Sequence, residues 1–419
     1  MRNAHLATLL AIALTSTCGW SQTAPAASAA SAPAAPAIRA EVRTPLLEAQ
    51  TLIGEKKFAQ AKEKIQAASA IANPSPFESY IVSRVALSIA IEEDDAVAAN
   101  RLLEQILQLN TSGAWLKPDE SQRLMHAVGN THYRTKDYVR SASWLDRNIQ
   151  SGGTDPAVRN ARIQAVLLSG NLARGSELLE AEISASEKAK ETPSQTHLEL
   201  LAQAKSGLKD IPGYTLTLEK LVEYYPTKEH WRSLINRLWG RSDLAIRLQL
   251  DVFRLAFYTG TPEEVNDYAE YIDFSQKAGF SAEALRMFDQ GVSAGLLGTG
   301  ANAEAHKKLK AKLTSEVEQD RKTMTADTAA AIKKPDGLAL FNIGFNMVGM
   351  GQFEKGLDLM EKGIAKGLAK RPEDARLRLA VAYVWAGQTD KALQAFAAVS
   401  GPDGLDDLVR YWKLALRKP

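Results

Sequence analysis

Three stretches decide how this chain folds: GFSAEALRMFDQG (residues 279–291), GQFEKGLDLMEKG (351–363) and GQTDKALQAFAAV (387–399). Each opens on a glycine (Gly279, Gly351, Gly387), with Ala284, Gly356 or Ala392 five residues on. Phe288, Met360 or Phe396 follows at plus nine, and Gly291, Gly363 or Val399 at plus twelve. The opening glycines are 72 and 36 residues apart, two periods and one of the same length, which makes the pattern a register. Upstream of two of them lies a first helix with its own marks: Ile343, Gly344 and Met347, then Leu379, Ala380 and Tyr383. Weaker copies come earlier, with Val128, Gly129 and His132 ahead of KDYVRSASWL, Gly170, Gly175 and Leu179 in GNLARGSELL, and Trp231 with Leu234.

Such spacing has a physical cause. Small residues on both helices of a pair let them cross at roughly 8–10 Å, while large apolar residues fill the core between them. A single pair cannot bury its apolar face, so pairs must stack. The residues quoted resemble the tetratricopeptide repeat, with its Trp, Leu, Gly and Tyr on one helix and Ala and Phe on the next. That resemblance covers most of Arg43 to Pro419 in about ten helix pairs. It implies an all-α, right-handed superhelical solenoid of antiparallel helix pairs. Copies near 263–294, 337–366 and 374–400 are well formed, and those between 43 and 224 are degenerate. Residues 302–334 read as a helical pair with little signature, and the segment near 403–416, containing LDDLVRYWKLAL, reads as a helix capping the stack. The strand-like YTLTL at 214–218 runs into EKLVEYY and reads as the start of a helix.

Composition agrees with a folded chain: of 419 residues, 45% are hydrophobic and 24% charged. A net charge of +2 lacks the basic footprint of a nucleic-acid binder. Residues 1–21 read as a signal peptide, with Arg2 and His5 before an apolar run from Leu6 to Leu14 that is too short to span a bilayer. Gly19 and Ser21 fit cleavage before Gln22. Export, most simply to a bacterial periplasm, follows from this reading. Lipidation at Cys18 is the rival, against which stands Thr15 where leucine is usual. Cys18 is the only cysteine, so the mature chain would carry neither a disulfide nor a cysteine metal site. Residues 22–41 form an Ala/Pro-rich tether unable to bury enough apolar surface to fold, and no later stretch is long and apolar enough to span a membrane. The solenoid is expected over 42–419.

The most tempting chemical motif is GVSAG at 291–295, the GxSxG spelling of a hydrolase nucleophile elbow. That elbow needs a strand before the serine, whereas SAEALRMFDQ is made of helix formers. Gly291 falls at a helix crossing and Gly295 at a helix end followed by Leu296, so Ser293 reads as incidental. Glu304 and His306, the acid and base that follow, lie two apart on one helix and cannot relay to each other. His126, His132, His197 and His230 show no metal-ligand spacing, and EEDD at 92–95 reads as a solvated turn with an N-cap. The Lys-rich start of HKKLKAKL is balanced by Glu316, Glu318 and Asp320. No enzyme activity, cofactor or metal is expected.

The resemblance implies a concave groove lined by the first helix of each pair, taking peptide segments of other proteins. By register it carries His126, Asn130 and Tyr133 in one repeat, Arg232, Asn236 and Trp239 in a second, and Asn266, Asp273 and Lys277 in a third. Leu338, Phe341 and Phe345 form an apolar patch in a fourth. Arg232 and Asn236 have donors for a carboxylate or a backbone amide, and Trp239 offers a flat anchor. The expected role is a protein-binding scaffold or adaptor of the cell envelope. The alternatives are glycan or peptidoglycan-fragment binding, with Trp239, Tyr268 and Tyr271 as stacking surfaces, and a hydrolase using Ser293.

Overall fold

The structure, a computed structural model, describes residues 37–110, 115–368 and 370–417. The signal peptide and nearly all of the tether lie outside the described residues. The described chain is all-α, with twenty helices and no strand among the described residues. It divides into two compact units, Met1–Ala181 and Glu182–Pro419.

The first unit contains α1 (Ala40–Gly54) with α2 (Phe58–Ser69), α3 (Pro76–Glu92) with α4 (Ala96–Leu109), and α5 (Pro118–Arg134) with α6 (Tyr138–Gln150). Then follow α7 (Pro156–Leu168) and the first part of α8 (Leu172–Lys188). Within a pair the chain reverses in three residues, one of them at positive φ: Lys56, Asp94, Lys136 and Gly170. The turns close by a repeated device. Asp94 N–H bonds Ile91 O while Asp95 N–H reaches back to Ala90 O, and Lys136 and Asp137 do the same to Tyr133 and His132. These are Schellman turns, which satisfy the last carbonyls of the first helix. The second helix then starts on a side-chain cap: Asp95, Asp137 and Asn171 accept from the N–H of Ala98, Arg140 and Arg174. EEDD is thus the turn and N-cap that its composition suggests. α1 to α6 share one apolar core running from Val42 and Leu46 through Tyr80, Leu87 and Leu103 to Val128 and Trp144.

The second unit holds α9 (Gln195–Gly207) with α10 (Ile211–Tyr224), α11 (Lys228–Trp239), α12 (Gln249–Tyr258), and α13 (Val265–Lys277) with α14 (Ser281–Ser293). YTLTL is helical, inside α10. α15 (Ala303–Lys333) follows, then α16 (Leu338–Gly349) with α17 (Phe353–Lys366), α18 (Pro372–Trp385) with α19 (Thr389–Ala397), and α20 (Leu405–Leu416). Here the closest crossings are backbone to backbone. A Cβ on Gly344 would lie 2.6 Å from Gly356 O, and one on Gly363 would lie 2.8 Å from Gly337 O. α16 and α17 approach so closely because glycine faces glycine.

One expectation is corrected. Residues 302–334 are not a helical pair: α15 is one helix of 31 residues, because nothing between Ala303 and Lys333 supplies a glycine, proline or positive-φ residue to turn the chain. α15 packs on both α14 and α16, and α16 also meets the start of α14 directly, where Asn346 Nδ2 donates to Gly279 O at 3.0 Å and Phe345 meets Phe280 edge-on at 4.8 Å. α20 does cover apolar surface, with Trp412 stacked on Phe396 at 5.7 Å. It is not merely a lid on the last pair, however. Ala245 N–H bonds Asp403 O at 3.1 Å, Arg410 pairs with Glu219 of α10 at 2.8 Å, and Trp412 meets Tyr258 of α12 at 5.1 Å. The end of the chain returns to α10 and α12.

That return encloses α12. Every residue from Leu250 to Ala256 is buried, charged Asp251 and Arg254 included. Arg254 donates to Glu283 Oε1 and Oε2 at 2.8 and 2.6 Å and also bonds Asp251. Tyr271 donates to Glu283 at 2.7 Å, and Arg378 reaches Asp251 at 3.3 Å. Phe345, Phe280 and Trp385 surround the Arg254 guanidinium at 4.7, 5.3 and 5.9 Å. Burial opposes its charge, but Glu283 and Asp251 outweigh burial and hold it protonated beyond the usual arginine range. Two cations facing two carboxylates balance, so the cluster is a matched tie between α12, α14 and α18.

Candidate functional site

The site begins with α11, whose sequence KEHWRSLINRLW places Trp231, Leu234, Ile235 and Leu238 on a buried stripe. The helix starts on Thr227, whose hydroxyl accepts from His230 N–H at 3.2 Å. Arg232, Asn236 and Trp239 then fall at i, i+4 and i+7 on the adjoining stripe, facing a cavity of about 380 Å³. Phe253 and Ala256 of α12 form its floor with Ile235, and Thr261, Pro262, Glu263, Glu264 and Asp267 close the far side. The Trp239 ring stands edge-on to Phe253, centroids 5.2 Å apart.

The polar groups are not equally available. Arg232 pairs with Glu263 at 2.7 Å and donates to Thr261 O at 3.1 Å, so its charge serves to tie the loop to α11. The donor expected for a ligand carboxylate is therefore committed within the protein. Asp267 is also occupied, accepting the N–H groups of Glu263 and Glu264 at 2.9 and 3.0 Å. Asn236 is exposed and its amide faces the cavity. The cleft thus offers an aromatic floor, one open amide able both to donate and to accept, and an acidic far rim.

The other expected residues scatter. His126, Asn130 and Tyr133 lie half-buried on α5 in the first unit. Tyr133 packs against Tyr138 at 5.3 Å, and its hydroxyl is 3.4 Å from Gln164 Oε1. Asn266, Asp273 and Lys277 are exposed on α13 but do not line the cavity, and Lys277 pairs with Asp273 at 2.6 Å. Phe341 and Phe345 are corrections: both are 1% exposed, Phe345 because Phe280 and the Arg254 guanidinium of α12 cover it, and Phe341 with its Cβ turned against Gly363 of α17. Only Leu338 of that patch reaches solvent. Tyr268 and Tyr271 are likewise buried and present no stacking surface.

Ser293 and His306 of the catalytic alternative each make a local hydrogen bond. Ser293 ends α14, and its hydroxyl donates to Asp289 O at 2.9 Å, a local helix bond. His306 Nδ1 accepts the N–H of Gly298 at 2.9 Å. A Cβ on Gly291 would meet Leu297 at 2.7 Å and Tyr268 at 2.9 Å, while Gly295 has φ +74° and closes the turn. Among the described residues no group of three or more His, Cys, Asp and Glu side chains could hold a metal ion, and no helix is long and apolar enough to cross a membrane.

Sequence reasoning missed Phe253 and Ala256 as the cavity floor and the Arg254 cluster beneath them. One signal was present. Asp251 and Arg254 are the only charges in QLDVFRLAFY, three residues apart in an otherwise apolar run, which is how a buried ion pair is written on a helix.

No family model matches this chain, and no curated protein matches it. Solved structures do align with it. One, of Naa15/Naa10 bound to HypK-THB, aligns over 88% of this chain at 14% identity with a TM-score of 0.35, and the alignment spans 60% of that chain's length. Another, the P58(IPK) TPR domain, aligns over 90% of this chain and 98% of its own at 12% identity, with a TM-score of 0.20. The helix pairs themselves, with their small-residue crossings and Schellman turns, make the architecture tetratricopeptide-like.

Proposed function

We propose that this protein is a non-catalytic scaffold that holds segments of partner proteins in the cleft between α11, α12 and the 259–264 loop. One observation carries the reading: Trp239 and Phe253 form a concave aromatic floor beside the uncommitted Asn236 amide. An anchor side chain can be desolvated on that floor while the amide bonds the segment's backbone. Nothing in the cleft is arranged to move a proton or attack a bond. We place the protein in the cell envelope on its N-terminal sequence, so fractionation and sequencing of the mature chain should find it exported and starting at Gln22.

The test is site-specific photo-crosslinking in cells. A photoreactive residue at Asn236 should give discrete protein adducts that vanish with Trp239→Ala, while one at Glu270, exposed on α13, should give none. Equal labelling from both positions, or no protein adduct from Asn236, would sink the reading.

A further inference from the structure

A second cavity in the same unit, of about 340 Å³, is walled by Ile211, Pro212, Thr215 and Leu216 of α10 and closed by α11 and α20. Its apolar side is open to water, with Ile211 46% and Leu216 59% exposed. Three arginines and two carboxylates complete it, and their pairing is uneven. Arg241 pairs with Asp243 and Asp407, and Arg410 with Glu219 and Asp407. Arg237, the third, has neither an ion pair nor a ring contact among the described residues, and its Nε is buried with no hydrogen-bond acceptor among them. Arg162, Arg286 and Arg378 also bury an orphan Nε, but each has another partner: Asp146, the Trp385 ring and Asp251. Arg237 alone of the four lacks one.

Arg237 is half-buried, and an Nε sealed from water without an acceptor is unfavourable unless one arrives. We infer that this cavity binds a small aliphatic monocarboxylate, its carboxylate on Arg237 and its hydrocarbon body along Ile211, Pro212 and Leu216. A guanidinium fork matches a carboxylate in two parallel hydrogen bonds. Glu219, Asp243 and Asp407 are all paired with Arg241 and Arg410, which leaves Arg237 as the one guanidinium of the three open to a ligand. A single open guanidinium among paired carboxylates suits a monoanion, whereas a dianionic phosphate would carry its second charge to a site with no further open cation. The volume is at the small end of small-molecule pockets, roughly 300–1,000 Å³.

Octanoate is the probe, titrated calorimetrically into the full chain beside 1-octanol and octylamine. Octanoate should bind at one saturable site, and each control at least about tenfold more weakly. Arg237→Gln should weaken octanoate about ten- to a hundredfold, the loss of one charge-assisted contact. Its thermal midpoint should hold or rise, since Arg237 has no partner to lose. Leu216→Asp, at an exposed position that folding does not need, should also abolish binding. Three results would overturn the inference: no binding of octanoate to the wild type, equal binding to Arg237→Gln, or 1-octanol binding as tightly as octanoate.

Discussion

The two units solve the same problem, reversing a helix onto its partner, with different residues. In the first, Lys56, Asp94 and Lys136 take the left-handed position, with glycine there once, at Gly170, and Asp95, Asp137 and Asn171 cap the next helix. In the second, Lys209 and Asp210 keep that device once, and then Gly279, Gly351 and Gly387 take over, followed by Phe280, Gln352 and Gln388 with no side-chain cap. Glycine enters the left-handed region freely; another residue pays roughly 1–2 kcal/mol there, part of which a cap worth about 1 kcal/mol offsets. The units differ in their interiors too. Arg84 of the first pairs with Glu120, which is 25% exposed, whereas Glu283 of the second is 1% exposed and its partner Arg254 fully buried.

The interior difference predicts the largest effects. Glu283→Gln strips Arg254 of its two-pronged partner in a dry site and should destabilise the second unit by about 3–5 kcal/mol. Glu120→Gln, with solvent at hand, should cost the first unit only about 1 kcal/mol. Amide hydrogen exchange reads the two units separately, and equal losses would erase the distinction. Next in size are the crossings. Gly356→Val sets a side chain 2.6 Å from the Gly344 carbonyl and should cost about 3 kcal/mol, since neither backbone can yield. Gly129→Ala meets only the flexible end of Leu145 at 3.0 Å and should cost about 1 kcal/mol or less.

A pH effect is expected in the first unit. His132 is buried on α5, and burial lowers its pKa below the usual 6.5, partly countered by Asp137 and reinforced by Arg140. The unfolded chain therefore takes up the proton at a pH where the folded one does not. Stability should be full above about 6.5 and should fall as the pH drops from there toward the lower folded value. His132→Phe should flatten that slope in urea midpoints taken between pH 7 and 5, and an unchanged slope would show that another group carries it.

The contrast in turns also explains what could be read in advance. The register stood out at Gly279, Gly351 and Gly387 because glycine there is conformationally demanded. Before residue 211 the same turn keeps glycine at Gly170 but is otherwise spelled Asp94-Asp95, Lys136-Asp137 and Lys209-Asp210, so a search built on glycine finds only degenerate copies. A basic or acidic residue followed by Asp, just after an apolar helix, is the signal that reveals them. Lys136→Gly should accordingly stabilise the first unit by about 0.5–1 kcal/mol, the strain released less the entropy glycine loses, and Gly351→Lys should cost the second about as much. The cleft was half legible. Arg232, Asn236 and Trp239 share a stripe by spacing alone, but the enclosure of α12 depends on Arg254 meeting residues 29 or more positions away, and contacts of that range leave no period in a sequence.

The smallest expected effect falls at Ser293, where the five-letter match was strongest. Its hydroxyl bonds only the carbonyl four residues back, and its place at the end of α14 is exposed. Ser293→Ala removes a bond that competes with helix geometry and leaves no buried group unsatisfied, so stability should change by less than about 0.5 kcal/mol. Gly291 and Gly295, which complete the match, act on backbone packing and turn closure, and neither aims the serine at a base. The same variant tests the role: crosslinking from Asn236 should proceed unchanged in Ser293→Ala, and neither protein should hydrolyse ester or peptide substrates above blank. Hydrolysis by the wild type that disappears with this one oxygen would mean that the closing turn of a helix pair works as an active site, and the non-catalytic reading would fall.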